Sequence, residues 1–483
     1  MQDVKYIVKR LVIYCIFRLF CCIFCENDGE YGRAACITVN ICCCNGKRVN
    51  SRTSFNIWET DEGPCASAAP RDFDVCFRGN RLCTKGRVSW YTKGAAEMPD
   101  GREQRDIQTM KKILVGLSGG VDSAVAALLL KEKGYDVAGI TLRTWESDAG
   151  EMSRCCEIDD ARYTAARLGI PFHIVNCVGI FCEKVTKPFV AEYLRGRTPN
   201  PCVGCNREVK WAKMLEYADI MQADGVATGH YAKVVQLQNG RFTVHTAAHA
   251  EKDQTYMLYR LTQEQLRRTV MPLADMSKAE VRALAEAAGI PVADKPDSQE
   301  ICFVPEGHYA EYVRDHAPEG CGIPGEGNFV DLDGRVLGRH KGIIHYTVGQ
   351  RKGLGIALGF PAYVAEIRPA ENEVVLGDES AVYRSSIFCE DVNFMGIPDI
   401  AAGESLRCFV KVRYHHTAQA ATVTRFAGEN TTTAEEGGAG GGLFRIAFDE
   451  PVRAAAPGQS AVWYDADGNV LGGGIISEKN TER

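Results

Sequence analysis

Between residues 110 and 306, short apolar runs alternate with stretches of helical period. The runs 113–117, 137–142, 172–175 and 225–228 are rich in aliphatic residues and too short for helices, so they read as buried strands. The stretches 123–133, 158–168, 187–195 and 278–288 repeat their apolar residues every three to four positions, which predicts helices with one buried face. Alternation of this kind predicts an α/β fold, a doubly wound parallel sheet with ligands at the C-terminal ends of its strands. From Gly307 the helical period fades. Short strands bounded by Gly, Pro and Asp turns at 325–337, 362–376 and 406–423 predict two small antiparallel β domains. The expected boundaries are 110–306 for the α/β domain, 307–378 for a central β domain and 379–483 for the last. The glycine-rich run 435–442 reads as a flexible hairpin loop within it.

Residues 1–109 do not share this pattern. They show no sustained helical or strand period and hold 11 of the 21 cysteines, Cys42-Cys43-Cys44 among them. Lys9-Arg10 ahead of an apolar run mimics a secretory signal, but Arg18 breaks a stretch already short for a membrane span. Because Met110-Lys-Lys-Ile-Leu-Val opens the first strand directly, Met110 is expected to be the native start. Residues 1–109 are then an extension foreign to the rest of the chain, or else a targeting segment. The extension carries 16 Lys+Arg against 13 Asp+Glu, which leaves the rest of the chain with a formal charge of about −9. Any binding of nucleic acid must rely on local basic surface. Candidates are Arg195, Arg197, Arg207, Lys210, Lys213, Lys341, Arg351 and Lys352.

The first strand runs into Ser118-Gly-Gly-Val-Asp-Ser123 and then a helix. Glycines allow close backbone approach to phosphate oxygens, two hydroxyls add donors, and the helix N-terminus favours an anion. No Lys follows the glycines, so this is not the loop of γ-phosphate enzymes. Two cysteine segments accompany it. Gly196-Arg-Thr-Pro-Asn-Pro-Cys-Val-Gly-Cys205 places C-x-x-C at the mouth of a predicted helix, where a thiolate is favoured. Ile301-Cys302-Phe303 lies 97 residues beyond Cys205. Alone it would read as a buried packing cysteine.

The loop resembles the SGG-x-DS motif of the ATP-pyrophosphatase (PP-loop) superfamily, whose members split ATP between the α and β phosphates to adenylylate an oxygen. With both cysteine segments, Ala227-Thr-Gly-His-Tyr-Ala232, Lys252-Asp-Gln254, 345–355, Val412-Arg-Tyr414 and Pro457-Gly-Gln459, the chain from about Met110 to Ser477 resembles the tRNA-specific 2-thiouridylase (MnmA) family. The resemblance implies adenylylation of the 2-carbonyl of a wobble uridine and sulfur transfer from a persulfide on Cys302. Cys205 would act as the second thiol and form a transient disulfide with Cys302. It implies ATP contacts at Gly116, Leu117, Ser118, Gly119, Gly120, Val121, Asp122, Ser123, Leu142 and Gly229. It implies tRNA contacts at Asn200, Pro201, Cys202, His230, Lys252, Asp253, Gln254, Arg413, Tyr414 and Gln459. A C-terminal β-barrel, a sulfur-relay protein or cysteine desulfurase as partner, and a cytoplasmic setting without membrane contact also follow.

Mg2+ is expected on the phosphates, with Asp122 the nearest candidate ligand; helix N-capping is the alternative role of Asp122. One departure stands out. Many family members carry Asp where this chain has Cys202, and a thiol is a poorer acid–base group. Cys202, Cys205 and Cys302 leave open a three-cysteine iron–sulfur site as a second mechanism. Cys155-Cys156 reads as structural. Two further rivals remain, a PP-loop enzyme acting on a small metabolite and a non-catalytic metal-binding RNA module.

Overall fold

The computed structural model describes residues 111–145, 157–290, 292, 301–304, 307–426 and 442–478, together with the backbone of four strands nearer the N-terminus. The chain divides into two compact units, Met1–Arg102 and Glu103–Arg483. Met110, Cys155-Cys156, 297–300 and 435–441 lie outside the described residues.

In the first unit, β1 (Ile37–Cys43), β2 (Thr53–Phe55), β3 (Asp72–Arg78) and β4 (Arg81–Lys85) form a sheet ordered β2-β1-β3-β4. These short strands lie where the sequence shows no sustained period. The runs are dense in Ile, Val, Phe, Thr and Cys, and Ile37, Val39 and Ile41, like Phe73, Val75 and Phe77, recur at every second position, a short strand period.

In the second unit β5 (Lys112–Gly116), β6 (Asp136–Arg143), β7 (Phe172–Asn176) and β8 (Gly225–Ala227) form the predicted parallel sheet. After the hairpin of β9 (Lys233–Gln236) and β10 (Phe242–His245), β11 (Thr269–Val270) completes it, in the order β11-β8-β5-β6-β7. The chain order reverses between β5 and β8, so the crevice beyond their C-terminal ends is the expected ligand site. Helix α1 (Val121–Glu132) starts two residues before the predicted span because Gly120 is already extended at its N-cap. It buries Val121, Ala124, Val125, Ala126, Ala127 and Leu130, the alanines allowing a close approach to the sheet. Helix α2 (Ile158–Leu168) matches the predicted span and buries Ile158, Ala161, Ala165 and Leu168.

Helix Tyr309–Asp315 precedes a sheet of β12 (Gly327–Val330), β13 (Val336–His340), β14 (Tyr363–Arg368) and β15 (Glu373–Gly377). Its hairpins are antiparallel, and one pair, β12 with β15, is parallel. The last domain is a closed antiparallel barrel, β16 (Tyr383–Phe394), β19 (Leu443–Arg453), β18 (Gln419–Phe426), β17 (Ser405–Lys411), β20 (Ser460–Tyr464) and β21 (Val470–Ile476) in spatial order. Closure leaves no unpaired edge. One apolar cluster links Leu114 and Leu142 of the parallel sheet, Phe303 of the segment 301–304, Phe329 and Val364 of the central sheet, and Val462 of the barrel. That shared core fixes the three domains around the crevice.

Candidate functional site

The phosphate loop closes on itself. The Ser118 N–H donates to Ser123 Oγ at 3.1 Å, and the Ser123 hydroxyl donates to the Gly120 carbonyl at 3.0 Å. Gly119 lies at φ +82°, and a Cβ there would stand 2.6 Å from the Glu157 carbonyl oxygen. From β8 comes Gly229, where a Cβ would lie 2.6 Å from the Asp122 carbonyl carbon and the Ser123 nitrogen. Only glycine lets the loop after β8 lie against the first turn of α1. Leu142 sits near the C-terminal end of β6 and Gly116 ends β5, so the residues expected to meet ATP gather along the switch-point side of the sheet.

Asp122 is not the N-cap; Gly120 holds that position. The Asp122 carboxylate accepts from Lys278 Nζ at 2.7 and 2.8 Å and from the Tyr231 hydroxyl at 2.7 Å. Closed off in this way, it does not present an open carboxylate to a magnesium ion. Lys278 was missed by sequence reasoning. The loop lacks a cation of its own, and a distant helix supplies one. The legible signal is the capping box Ser277-x-x-Glu280, which fixes the helix start and places Lys278 in its first turn.

The C-x-x-C segment forms the short helix Pro201–Cys205, continued through a π-helical turn Asn206–Trp211 into Ala212–Ile220. Asn200 caps it, its side-chain oxygen accepting from the Cys202 N–H at 3.2 Å, and Pro201 occupies the first turn. Cys202 is half-buried and Cys205 buried. Cys302 lies half-buried in the segment 301–304. The buried Phe303 ring next to it packs on Phe181 at 5.5 Å, Phe189 at 5.2 Å and Tyr312 at 5.2 Å. Tyr312 in turn meets Thr186 and feels the charges of Cys182 and Cys302; burial pushes its hydroxyl up to about 12. The turn Cys182–Thr186 also packs against helix Pro201–Cys205, so Cys205 and Cys302 border the same helical stretch. Both belong to the apolar cluster described above, and both are present as thiols. Phe303→Ala is expected to cost about 3–5 kcal/mol, measurable as a fall in denaturation midpoint, and to loosen the seat of Cys302.

The residues expected at the target base divide into two groups. Tyr414 lies in electrostatic reach of Asp253 and Cys202, and its ring is 6.1 Å from that of Tyr256. Arg413 acts on Tyr256 as well. Cys202, the 252–256 segment and Arg413-Tyr414 therefore converge beside the C-x-x-C helix. Three others also make hydrogen bonds within the protein. Asp253 is 7% exposed, bound to the Thr255 hydroxyl at 3.0 and 2.8 Å and to Lys411 Nζ at 3.3 Å. The Gln254 side-chain oxygen accepts from the Tyr231 N–H at 2.9 Å, and the Gln459 amide donates to the Thr198 carbonyl at 2.7 Å. Lys252 ends the 3-10 turn Ala250–Lys252 next to this group.

His230 stands 2.9 Å from the Thr228 hydroxyl, its ring 5.4 Å from Trp211. Burial, with the nearby Lys210 charge second, pulls its imidazole down to about 3. His230 is therefore neutral at physiological pH and offers a hydrogen bond rather than a charge. The unfolded chain takes up this proton near pH 6.5 and the folded one does not, so folding stability is lost as pH falls below about 6.5. A histidine-ring NMR titration is expected to show no His230 transition between pH 5 and 8.

The expected basic surface is thinner than the sequence suggests. Arg197 is 12% exposed inside a carboxylate network. Arg195, Arg207 and Lys213 pair with Glu192, Glu208 and Glu216. Lys341, Arg351 and Lys352 are exposed. Among the described residues no three Cys, His, Asp or Glu side chains meet to hold a metal. No helix among the described residues is long and apolar enough to cross a membrane.

Comparison with known proteins matches all three domains. Residues 111–306 match the tRNA methyl transferase HUP domain, 319–378 the tRNA methyl transferase PRC-barrel domain and 384–476 the aminomethyltransferase beta-barrel domain. The chain is 48% identical over 374 residues to the tRNA-specific 2-thiouridylase MnmA of Lachnoclostridium phytofermentans, covering 76% of this chain and 99% of that protein. It is 45% identical to the protein of the same name from Clostridioides difficile, covering 76% and 98%. A solved U34-tRNA thiolase, NcsA from Methanococcus maripaludis with its [4Fe-4S] cluster, aligns at 20% identity and a TM-score of 0.27, over 40% of this chain and 60% of that one, too remote to bear on the chemistry. With a reversed-order parallel sheet carrying the phosphate loop, paired cysteine segments, a closed barrel, and near-complete coverage of its relatives, the chain belongs to the tRNA-specific 2-thiouridylase (MnmA) family.

Proposed function

We propose that this protein is an ATP-dependent tRNA-uridine 2-sulfurtransferase. The uridine 2-oxygen attacks the α-phosphorus of ATP and expels pyrophosphate. This converts a very poor leaving group into AMP. The loop N–H groups and the start of α1 offer fixed donors to the phosphates, with Lys278 held beside them on Asp122. A persulfide on Cys302 supplies the sulfur. Its terminal sulfur attacks C2 of the base, the Cys205 thiolate attacks the Cys302 sulfur, and the S–S bond breaks so that the terminal sulfur stays on carbon. AMP departs, a Cys205–Cys302 disulfide is left, and an external thiol must reduce it. The sulfur reaches Cys302 from a relay protein or cysteine desulfurase.

The observation that carries this reading is that the helix ending in Cys205 and the Tyr312 ring in reach of Cys302 both meet the turn Cys182–Thr186. Where many relatives have a carboxylate, Cys202 acts, as Asp253 does, on the Tyr414 hydroxyl. Any acid–base role at that position must then fall to a neighbour or be dispensable. Pyrophosphate release tests the reaction class. It is expected to require tRNA with an unmodified wobble uridine; release on a small metabolite without tRNA would move the enzyme to another branch of the PP-loop superfamily.

A further inference from the structure

The loop 196–200 joins all three domains just before the C-x-x-C helix begins. Arg197 Nε lies 2.7 Å from Glu192 Oε2 of its own domain, an ion contact rather than an aligned hydrogen bond. Its Nη1 reaches Glu390 Oε1 of the barrel at 3.1 Å, and Nε stands 3.8 Å from Glu478 Oε1. The Thr198 N–H donates to the Pro457 carbonyl at 2.8 Å, and its carbonyl accepts from Gln459 Nε2 at 2.7 Å. A Cβ on Gly458 would come within 3.0 Å of the Thr198 nitrogen, so the barrel loop lies directly on this backbone. On the opposite side the Thr198 hydroxyl meets that of Thr347 at 3.3 Å. A Cβ on Gly196 would lie 2.9 Å from Ile367 of the central domain. Two residues past Thr198, Asn200 caps the helix carrying Cys202 and Cys205.

We infer that Arg197, held between Glu192 and the barrel carboxylates Glu390 and Glu478, is a positioning residue. Through the 196–200 loop it lets the seating of the barrel set the position of the Cys202–Cys205 helix. This rests on the proposed thiolation. Arg197 is placed too deep to be an RNA contact, and one cation facing three carboxylates from two domains leaves little freedom in the loop. A displacement of the loop moves the helix cap with it, and small misplacements of reacting groups cost rate more than binding.

The test uses the full chain with Arg197→Gln and, separately, Glu390→Gln. Arg197→Gln is expected to lower kcat for thiolation roughly ten- to a hundredfold, with KM for tRNA and the Kd for ATP within about twofold of wild type. The alkylation rate of Cys202 by iodoacetamide is expected to change several-fold in the same variant. Glu390→Gln is expected to give a smaller effect of the same kind, and the double variant to resemble Arg197→Gln alone. An unchanged kcat and alkylation rate in folded protein overturns the inference. So does a kcat loss matched by equal losses of ATP affinity and denaturation midpoint, since that marks a purely structural role. If Arg197→Gln does not fold, Glu390→Gln with the same readouts decides. If the wild type does not thiolate tRNA, the proposed function fails, while the alkylation comparison still tests the coupling of Arg197 to the helix.

Discussion

Cys302→Ser is expected to abolish 2-thiouridine formation while leaving the Kd for ATP within about twofold of wild type. A hydroxyl cannot carry a sulfane sulfur, whereas the phosphate loop lies on a different segment. The side chain of residue 302 is positioned by its neighbour. Phe303 is clamped by three aromatic rings, and serine does not disturb that clamp. Adenylylation and tRNA-dependent pyrophosphate release should persist in the variant, so the block falls after activation of the base. Cys205→Ser should differ: a persulfide can still load on Cys302, but without the second thiol the sulfur is not released to the base. Residual thiolation above background in Cys302→Ser, measured by nucleoside mass spectrometry, removes Cys302 as the sulfur carrier.

The second large effect is expected at Gly229. A single methyl group there would occupy the space of the Asp122 carbonyl and the Ser123 amide, both at contact distances no real Cβ shows. Backbone atoms cannot step aside as a flexible side chain can, so either β8 or the N-terminus of α1 must shift. The second choice moves the amide donors that face the phosphates and breaks the approach of Tyr231 to Asp122. Gly229→Ala is therefore expected to weaken ATP binding by about a hundredfold, a cost of about 2.7 kcal/mol, with a fold still recognisable by circular dichroism. Calorimetric titration with ATP reads this directly. Wild-type affinity in the variant would show that the loop after β8 does not constrain the phosphate site.

Much of the α/β domain was legible because its elements follow simple periods. The helix 158–168 emerges at its predicted bounds, and the four strands that flank the crevice lie where the apolar runs place them. The phosphate loop was legible for the same reason: its chemistry resides in adjacent residues. What the sequence hid are contacts between segments far apart. Lys278 reaches Asp122 across 156 residues, Lys411 reaches Asp253 across 158, and Gln459 reaches Thr198 across 261. Asp253, Gln459 and Arg197 look like exposed recognition residues in one dimension, yet each is used to join domains. The strands before residue 100 were hard to read because their alternation is brief: Ile37, Val39 and Ile41, then Phe73, Val75 and Phe77, recur at every second position for only five or six residues among cysteine-rich runs. Barrel closure came from the family resemblance, since six short strands do not state which edges meet.

The central claim is that sulfur enters the 2-position of a tRNA uridine through Cys302. The most direct measurement mixes the protein with unmodified tRNA bearing a wobble uridine, ATP, Mg2+ and a cysteine desulfurase, then assays the nucleosides by mass spectrometry. The expected result is 2-thiouridine that depends on ATP and disappears with Cys302→Ser. With a desulfurase known to be active, no 2-thiouridine from the wild type, or equal amounts from the variant, contradicts the account.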